Sequence, residues 1–519
     1  MFSNFSPNKR VETPILVVLT VLAVCVRLPG LSSSFYGDEG FSVLRDSNAL
    51  LTPTEDRFRP VFFSLLYLWK AVGFHGEAGL RALPMLFGVM QVPVALRLGA
   101  MLGGLEAGIV FSALIAFNPM LIEFSQELRM YSLAPLIALL QAWAFATVVE
   151  RSSAGRSTLA AWAAFVVAGI AGVYTHVHYW FLLVGFGVAV LRRWRSLPLG
   201  HSIAAMGAIV LLYLPNIPNL LRFQREAASA PHLMAADLPS ALPKLVAAIC
   251  VGFNYFSLPR LGLDRAIRAS AIRSNLGLAL LVAIPAVILV GQFAKVHRRT
   301  ETRALVGLAH ELFTVPALVS FLAVTVLGRD FIHPKYMSPT APFFLLFIVA
   351  AYLAISRPFN RLIVAVTGVA VCGIAVLHFN QPEKYGRRED WRGAANLLRT
   401  ELDDDSTLLL LGNANSSPTM TAHQPPTSLW EYYAADTFRY VRVVSIPGPN
   451  VTAQELAPIL RSLISGKRHI YYLWSEIGAN VIDPHDVLVR TARNALIGER
   501  VTQFNPRLVL YRWDAPQAP

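Results

Sequence analysis

Two adjacent carboxylates, Asp38 and Glu39 in Phe35-Tyr36-Gly37-Asp38-Glu39-Gly40, follow directly on the first long apolar run of the chain. Carboxylates beside a membrane are costly unless something uses them. One use is a helix N-cap at the membrane surface. The other is a general base that takes a proton from an acceptor hydroxyl, with Gly37 and Gly40 letting the backbone come close to a substrate. Asp38 is the better candidate for that base, with Glu39 beside it.

Four later polar islands carry complementary chemistry. Arg57 and Arg59 precede an apolar segment, where they either snorkel as anchors or grip a phosphate bidentately. Glu123-Phe124-Ser125-Gln126-Glu127-Leu128-Arg129-Met130-Tyr131 gathers carboxylate, amide, guanidinium and phenol within a turn or two. On a helix, Glu123–Glu127 and Glu127–Tyr131 would be i,i+4 pairs, and a structural Glu–Arg network is the plainer alternative to a substrate cavity. His176-Val177-His178 could ligate zinc from a strand, but on a helix the two side chains diverge by about 200°. No third or fourth ligand is spaced with them, so a hydrogen-bonding wall for a sugar is favoured over a metal. Lys335, in Arg329-Asp330-Phe331-Ile332-His333-Pro334-Lys335-Tyr336, stands before a late apolar run. There it either snorkels or neutralises a lipid phosphate that leaves during the reaction.

The elements that must position these islands are membrane spans. The chain has 519 residues, 55% hydrophobic and 15% charged, with a mean hydropathy of +0.49. A soluble domain carries nearer a quarter charged residues, so this composition predicts a polytopic α-helical membrane protein. Net charge is +13; in such a protein it reflects Lys/Arg loops and phosphate contacts rather than nucleic acid. The cysteines, Cys25, Cys250 and Cys372, lie inside apolar runs and indicate no disulfide framework.

The first span is expected at 12–30, a retained anchor behind Lys9 and Arg10. Further spans are expected at 82–102, 105–122, 131–149, 157–175, 178–191, 202–221, 274–294, 303–327, 337–356 and 361–378, about 11 in all. Residues 61–74 are too short to cross and read as a helix lying in the interface. With that segment and 243–257 not crossing, Arg151, Arg156, Arg192, Arg193, Arg195, Lys295 to Arg299, Arg357 and Arg361 all fall on the cytoplasmic side. The islands at 36–59, 123–129, 175–179, 222–237 and 329–336 then share the opposite side. Arg260, Arg265, Arg268 and Arg273 fall there too, against the charge rule. They meet lipid phosphates, or the frame shifts locally.

Charge returns to ordinary levels from about Gln381, which divides the chain into a transmembrane domain, 1–380, and a small α/β domain, 381–519. Within the latter, helices are expected at Asp390 to Leu402, Thr452 to Ile464 and Pro484 to Ala495. Strands are expected at Thr407 to Leu411, Val441 to Ile446, His469 to Trp474, near Val501 and at Leu508 to Trp513. Asn413 to Ser428 reads as a loop.

In this order the islands resemble the GT-C glycosyltransferases, in the branch of the protein O-mannosyltransferases and lipid A aminoarabinose transferases (glycosyltransferase family 39). That family carries an acidic motif in the first external loop, matched by Asp38-Glu39. Arg59-Pro60-Val61-Phe62 stands where the family has His/Lys-Pro-Pro-Leu. Glu127, Arg129 and Tyr131 match Glu-x-Arg-x-Tyr, and Thr175 to Tyr179 is close to a Thr-His-Tyr motif. Lys335-Tyr336-Met337-Ser338-Pro339 replaces Arg-Tyr-x-x-Pro. The resemblance covers about 1–380.

What it implies is inverting sugar transfer from a polyprenyl-phosphate donor to an acceptor hydroxyl of a lipid, polysaccharide or protein, on the extracytoplasmic side of the plasma membrane. Asp38 would act as base, and Lys335, Arg129, Arg59 and Tyr336 would bind the donor phosphate. Glu127, Tyr131, His176 and His178 would line the cavity. Some members of the family need a divalent cation and others do not; no ligand spacing here indicates one. No Gly-x-Gly-x-x-Gly or Walker sequence follows a strand, as suits a lipid donor. A transporter or flippase of a phosphate-containing lipid is the main rival, but it predicts inverted halves and charges at span centres. The ionisable residues cluster instead at one set of span ends.

Overall fold

A computed structural model describes residues 9–36, 39–43, 59–221, 245–246, 249–250, 285–292, 296, 299–327, 333–379, 389–412, 428–445, 452–475, 486–505 and 508–516. The chain forms two compact units. The first contains Met1–Leu31 and Ser47–His378; the second contains Ser32–Asp46 and Phe379–Pro519. The composition break near 380 therefore lies beside a contact boundary, but the first polar loop groups with the C-terminal domain rather than with the spans.

In the first unit, the opening apolar run forms helix Lys9–Arg27. Arg27 is fully buried, and its guanidinium donates to Ala116 O (2.7 Å), Ala23 O (3.1 Å), Ile115 O (3.2 Å) and Ser125 Oγ (3.2 Å). Those acceptors are what makes a buried cation tolerable. Gly76–Phe117 is a 42-residue apolar run interrupted at Gly103 and Gly104, the latter at φ 83°. An unbroken helix of that length would reach about 63 Å, twice a bilayer core. The left-handed glycine instead folds the run into a hairpin, in which Ser112 Oγ donates to Val92 O at 2.9 Å. A Cβ on Gly99 would meet Gly108 Cα at 2.9 Å, so small residues set how closely the two arms pack.

Shorter apolar helices follow at Leu133–Ser153, Leu159–Val173, Tyr179–Arg192 and Leu199–Tyr213. After the segment that begins at 222, helix Thr300–Ala309 continues through a π-turn, His310–Thr314, into Val315–Leu327. Ala341–Leu353 and Pro358–Phe379 complete the unit. Four helices among the described residues are long and apolar enough to cross a membrane. Residues Pro60–Ala71 form a 12-residue helix, about 18 Å long and too short to cross. The expected span at 274–294 and the segments 222–237 and 243–257 lie largely or wholly outside the described residues, as do Arg260, Arg265, Arg268 and Arg273.

Polar contacts sort the helix ends into two sets. One set is joined by Arg361–Glu106 (2.9 Å), Arg361 Nη2 and Arg299 Nη1 donating to Leu353 O, and Ser152 Oγ donating to Ser196 O. Arg192 and Arg193 belong to it, both paired with the buried Glu311 of the π-turn at 2.9 and 2.8 Å. The other set, among the described residues of this unit, carries Arg59, residues 126–132, His176-Val177-His178 and His333–Met337.

The second unit contains a five-stranded sheet of order β2-β1-β3-β5-β4, with β1 Ser406–Gly412, β2 Val441–Ser445, β3 His469–Ser475, β4 Ile497–Asn505 and β5 Leu508–Asp514. β1 pairs in parallel with β2 (Leu408↔Val441) and β3 (Thr407↔Ile470), while β5 runs antiparallel to β3 (Tyr472↔Tyr511) and β4 (Val501↔Tyr511). Leu409, Val444, Ile470, Tyr472 and Trp513 pack with Leu456, Leu460, Leu488 and Ala492 of helices Ala453–Ile464 and Val487–Ala495. Tyr471 alternates to the other face, where its hydroxyl donates to Glu401 O at the end of helix Trp391–Glu401 (3.4 Å). The expected loop after β1 lies, over 413–427, outside the described residues.

A Cβ on Gly88 would collide with Ser125 Oγ and lie 3.1 Å from Arg27 Nε. Neither neighbour can yield, because each is hydrogen-bonded. Gly88→Ala is therefore expected to lower stability by about 1–3 kcal/mol, read as an earlier thermal transition in detergent. Gly200→Ala, with nothing within 4 Å of the added carbon, serves as control. Equal transitions for the two variants would refute the packing argument.

Candidate functional site

In the first unit, Asn118 opens the island after the hairpin. Its Oδ1 accepts from Leu121 N (3.1 Å), and Pro119 occupies the first helical position. Helix Pro119–Ser125 ends there, and residues 126–132 run through turns and bends. The helical i,i+4 pairing expected of Glu123–Glu127 and Glu127–Tyr131 therefore does not form. Gln126 stops the helix from continuing: its Nε2 donates to Arg27 O (2.9 Å) and Pro29 O (2.5 Å), tying the turn to the end of the first helix.

Glu127 and Tyr131 converge on Lys335 instead. Lys335 Nζ lies 3.0 Å from Glu127 Oε1, and the pair is largely buried, with side-chain exposures of 18% and 2%. The same ammonium sits 5.3 Å from the centroid of the Tyr131 ring. The turn His333–Met337 fixes it, with Tyr336 N donating to His333 O (2.8 Å) and Met337 N to the same oxygen (3.1 Å). The imidazole of His178 stacks on the Tyr336 ring at 4.7 Å and 8°. His176 stands 5.4 Å from His178 and 6.1 Å from Tyr131.

Arg129 lies over the Phe63 ring at 5.6 Å. Phe63 belongs to helix Pro60–Ala71, which follows Arg59 and is joined to the histidine loop by Val61 N donating to Tyr174 O (3.4 Å). Lys335, Arg129, Arg59, Tyr336, Glu127, Tyr131, His176 and His178 thus meet in one cluster. The His176-Val177-His178 segment is a turn, so the helical divergence of its rings does not apply. No group of three or more His, Cys, Asp or Glu that could hold a metal occurs among the described residues. His333 and Phe63 also belong to the cluster. His333 lies two residues before Lys335 in the same island, and nothing in the sequence marks Phe63 among so many apolar residues.

Burial, reinforced by Arg59, depresses His178 to about 3. Burial, then His178, Arg59 and Arg129, hold His176 well below the ordinary histidine value. Both rings are neutral at pH 7 and offer one donor and one acceptor each. The unfolded chain, with histidine near 6.5, binds protons that the folded chain refuses. The stability these groups confer is full above about pH 6.5 and declines progressively below it. Replacing both by Gln is expected to flatten that acid-side decline between about pH 6.5 and 4, measured by thermal unfolding against pH. An unchanged slope would show that the rings titrate normally.

In the second unit, Glu39 opens the short helix Glu39–Val43 and is fully buried. Its Oε2 accepts from Tyr36 N (3.1 Å), and its own N–H donates to Tyr36 O (3.1 Å). Asp38 lies outside the described residues, as do Arg57, Arg329 and Asp330.

No family model matches the sequence, and no curated protein matches it. Solved structures do. The chain is similar to ArnT from Cupriavidus metallidurans bound to undecaprenyl phosphate, at 13% identity and TM-score 0.53 over 97% of this chain and 98% of that one. It is also similar to the archaeal oligosaccharyltransferase AglB from Archaeoglobus fulgidus in complex with an inhibitory peptide and a dolichol-phosphate. That likeness has 13% identity and TM-score 0.52 over 99% of this chain and 75% of that one. At these identities the likeness is one of fold. The chain has the GT-C fold that its motif order resembles.

Proposed function

We propose that this protein is a multi-pass plasma-membrane glycosyltransferase that moves a sugar from a polyprenyl-phosphate donor to an acceptor hydroxyl on the extracytoplasmic side. The observation that carries the reading is Lys335, held in a largely buried pair with Glu127 (3.0 Å) and joined by Arg59, Arg129 and two neutral histidines at one set of helix ends. Three clustered cations form a receptor for an oxyanion. ArnT, whose fold this chain shares, was captured with undecaprenyl phosphate.

In the proposed reaction Asp38 takes the proton of the acceptor hydroxyl, whose oxygen bonds to the anomeric carbon from the face opposite the phosphate. The bond from that carbon to the phosphate oxygen breaks, its electron pair stays on the departing polyprenyl phosphate, and configuration inverts. Lys335, Arg129 and Arg59 stabilise the charge that grows on the leaving group, and Tyr336 adds a hydroxyl to it. Glu127 holds the Lys335 ammonium in place through the 3.0 Å contact. Tyr131, His176 and His178 offer hydrogen bonds and ring faces to a sugar.

The test is turnover of a radiolabelled polyprenyl-phosphate sugar by the purified protein with membrane-extract acceptors. Release of free polyprenyl phosphate coupled to sugar transfer supports the reading. An intact donor together with lipid movement across liposomes would replace it with a flippase.

A further inference from the structure

Within the second unit, the residues before Asp38 are bound to the C-terminal α/β domain. Phe35 N donates to the hydroxyl of Tyr433 at 2.8 Å, and the fully buried Phe35 ring meets Tyr432 edge-on at 5.4 Å. Arg392 donates from its backbone to Ser34 Oγ (3.3 Å) and from its guanidinium to Ser32 O (3.2 Å). On the other side, helix Glu39–Val43 packs against helix Ser428–Ala434, which carries Tyr433. Tyr433 is itself held, since Arg399 donates to its carbonyl oxygen and pairs with Asp436 at 2.9 Å.

We propose that the C-terminal domain is the positioning device for the acidic motif, with Tyr433 as the principal positioning residue and Arg392 as its support. This rests on the function proposed above and assigns a task to a domain whose sequence offers no motif of its own. The physical argument is one of entropy. A base can be held in reactive geometry only if the chain on both sides of it is tied to something rigid, and here Phe35 and helix Glu39–Val43 are the tied flanks. The sheet supplies the rigid body. A misplacement of about 1 Å costs as much as 10²-fold in rate, so the contacts on Ser32–Phe35 act through Asp38 without touching substrate.

The experiment compares full-length wild type with Tyr433→Phe, which keeps the ring packing and deletes the acceptor for the Phe35 amide. Leu460→Ala, in the core on the sheet's other face, is the control for general loss of domain stability. Expected for Tyr433→Phe are a kcat lower by about 10- to 100-fold, an unchanged KM for the lipid donor, an unchanged thermal transition and faster hydrogen–deuterium exchange confined to the peptide containing Phe35. Wild-type kcat or unchanged exchange in Tyr433→Phe overturns the proposal. So does an equal loss of kcat in Leu460→Ala, which would make domain stability the cause. Wild type that fails to consume the donor would sink the glycosyltransferase reading instead, while exchange still reports whether Tyr433 holds the loop.

Discussion

Asp38→Asn is expected to lower donor turnover by about 10²–10⁴-fold, with membrane insertion and the thermal transition unchanged. The amide matches the carboxylate in size but cannot accept a proton from the attacking hydroxyl. Glu39→Gln is expected to do far less. Glu39 is buried and its Oε2 accepts from Tyr36 N, and a glutamine side-chain oxygen can accept that same bond. The two variants, assayed side by side on the radiolabelled donor, therefore separate the base from the cap. The pH profile adds a second readout: the acid limb of kcat, set by protonation of the base, should disappear with Asp38→Asn and persist with Glu39→Gln. Full turnover in Asp38→Asn would remove it from the mechanism, and equal losses in both variants would make the pair act as one.

Lys335→Met should lower kcat by about 10²–10³-fold, the usual cost of deleting one preorganised stabiliser of developing negative charge. On its own that result would be ambiguous. Removing the ammonium strips the nearest cation from the buried Glu127 carboxylate, and breaking such a pair typically costs about 3–5 kcal/mol of stability. The double variant Lys335→Met with Glu127→Gln resolves the ambiguity, because it deletes the stranded charge as well. Its thermal transition should return toward wild type while kcat stays low. Lys335→Arg, which keeps the charge and matches the arginine of the resembled family, should retain much of the activity. Recovery of turnover in the double variant would reduce Lys335 to a structural partner of Glu127 and leave Arg59 and Arg129 as the phosphate ligands.

Much of this organisation is legible in the chain because it depends on local chemistry. Hydropathy places the apolar helices, since a run that must satisfy its own backbone in lipid has little choice but to be helical. Gly103-Gly104 and Pro119 mark where two of them break, and alternating helix and strand patterns mark the elements of the C-terminal sheet. The motif order points to the GT-C fold for the same reason, as each island sits at the end of a run that can be counted.

The tertiary structure decided which islands meet and through what. Glu127 and Tyr131 do not pair along a helix, because Gln126 is drawn off to the carbonyls of Arg27 and Pro29 and ends it. They find Lys335, 208 residues from Glu127, only when the helices pack. Arg27 looks in sequence like the charged end of a membrane anchor, and only packing reveals four acceptors that let it lie buried. The acidic loop belongs by chain position to the membrane domain but is held by Tyr433, 398 residues from Phe35. Periodicity and propensity act over a few turns of chain, whereas a contact between residues hundreds apart depends on how whole elements pack, and no short stretch of sequence records that.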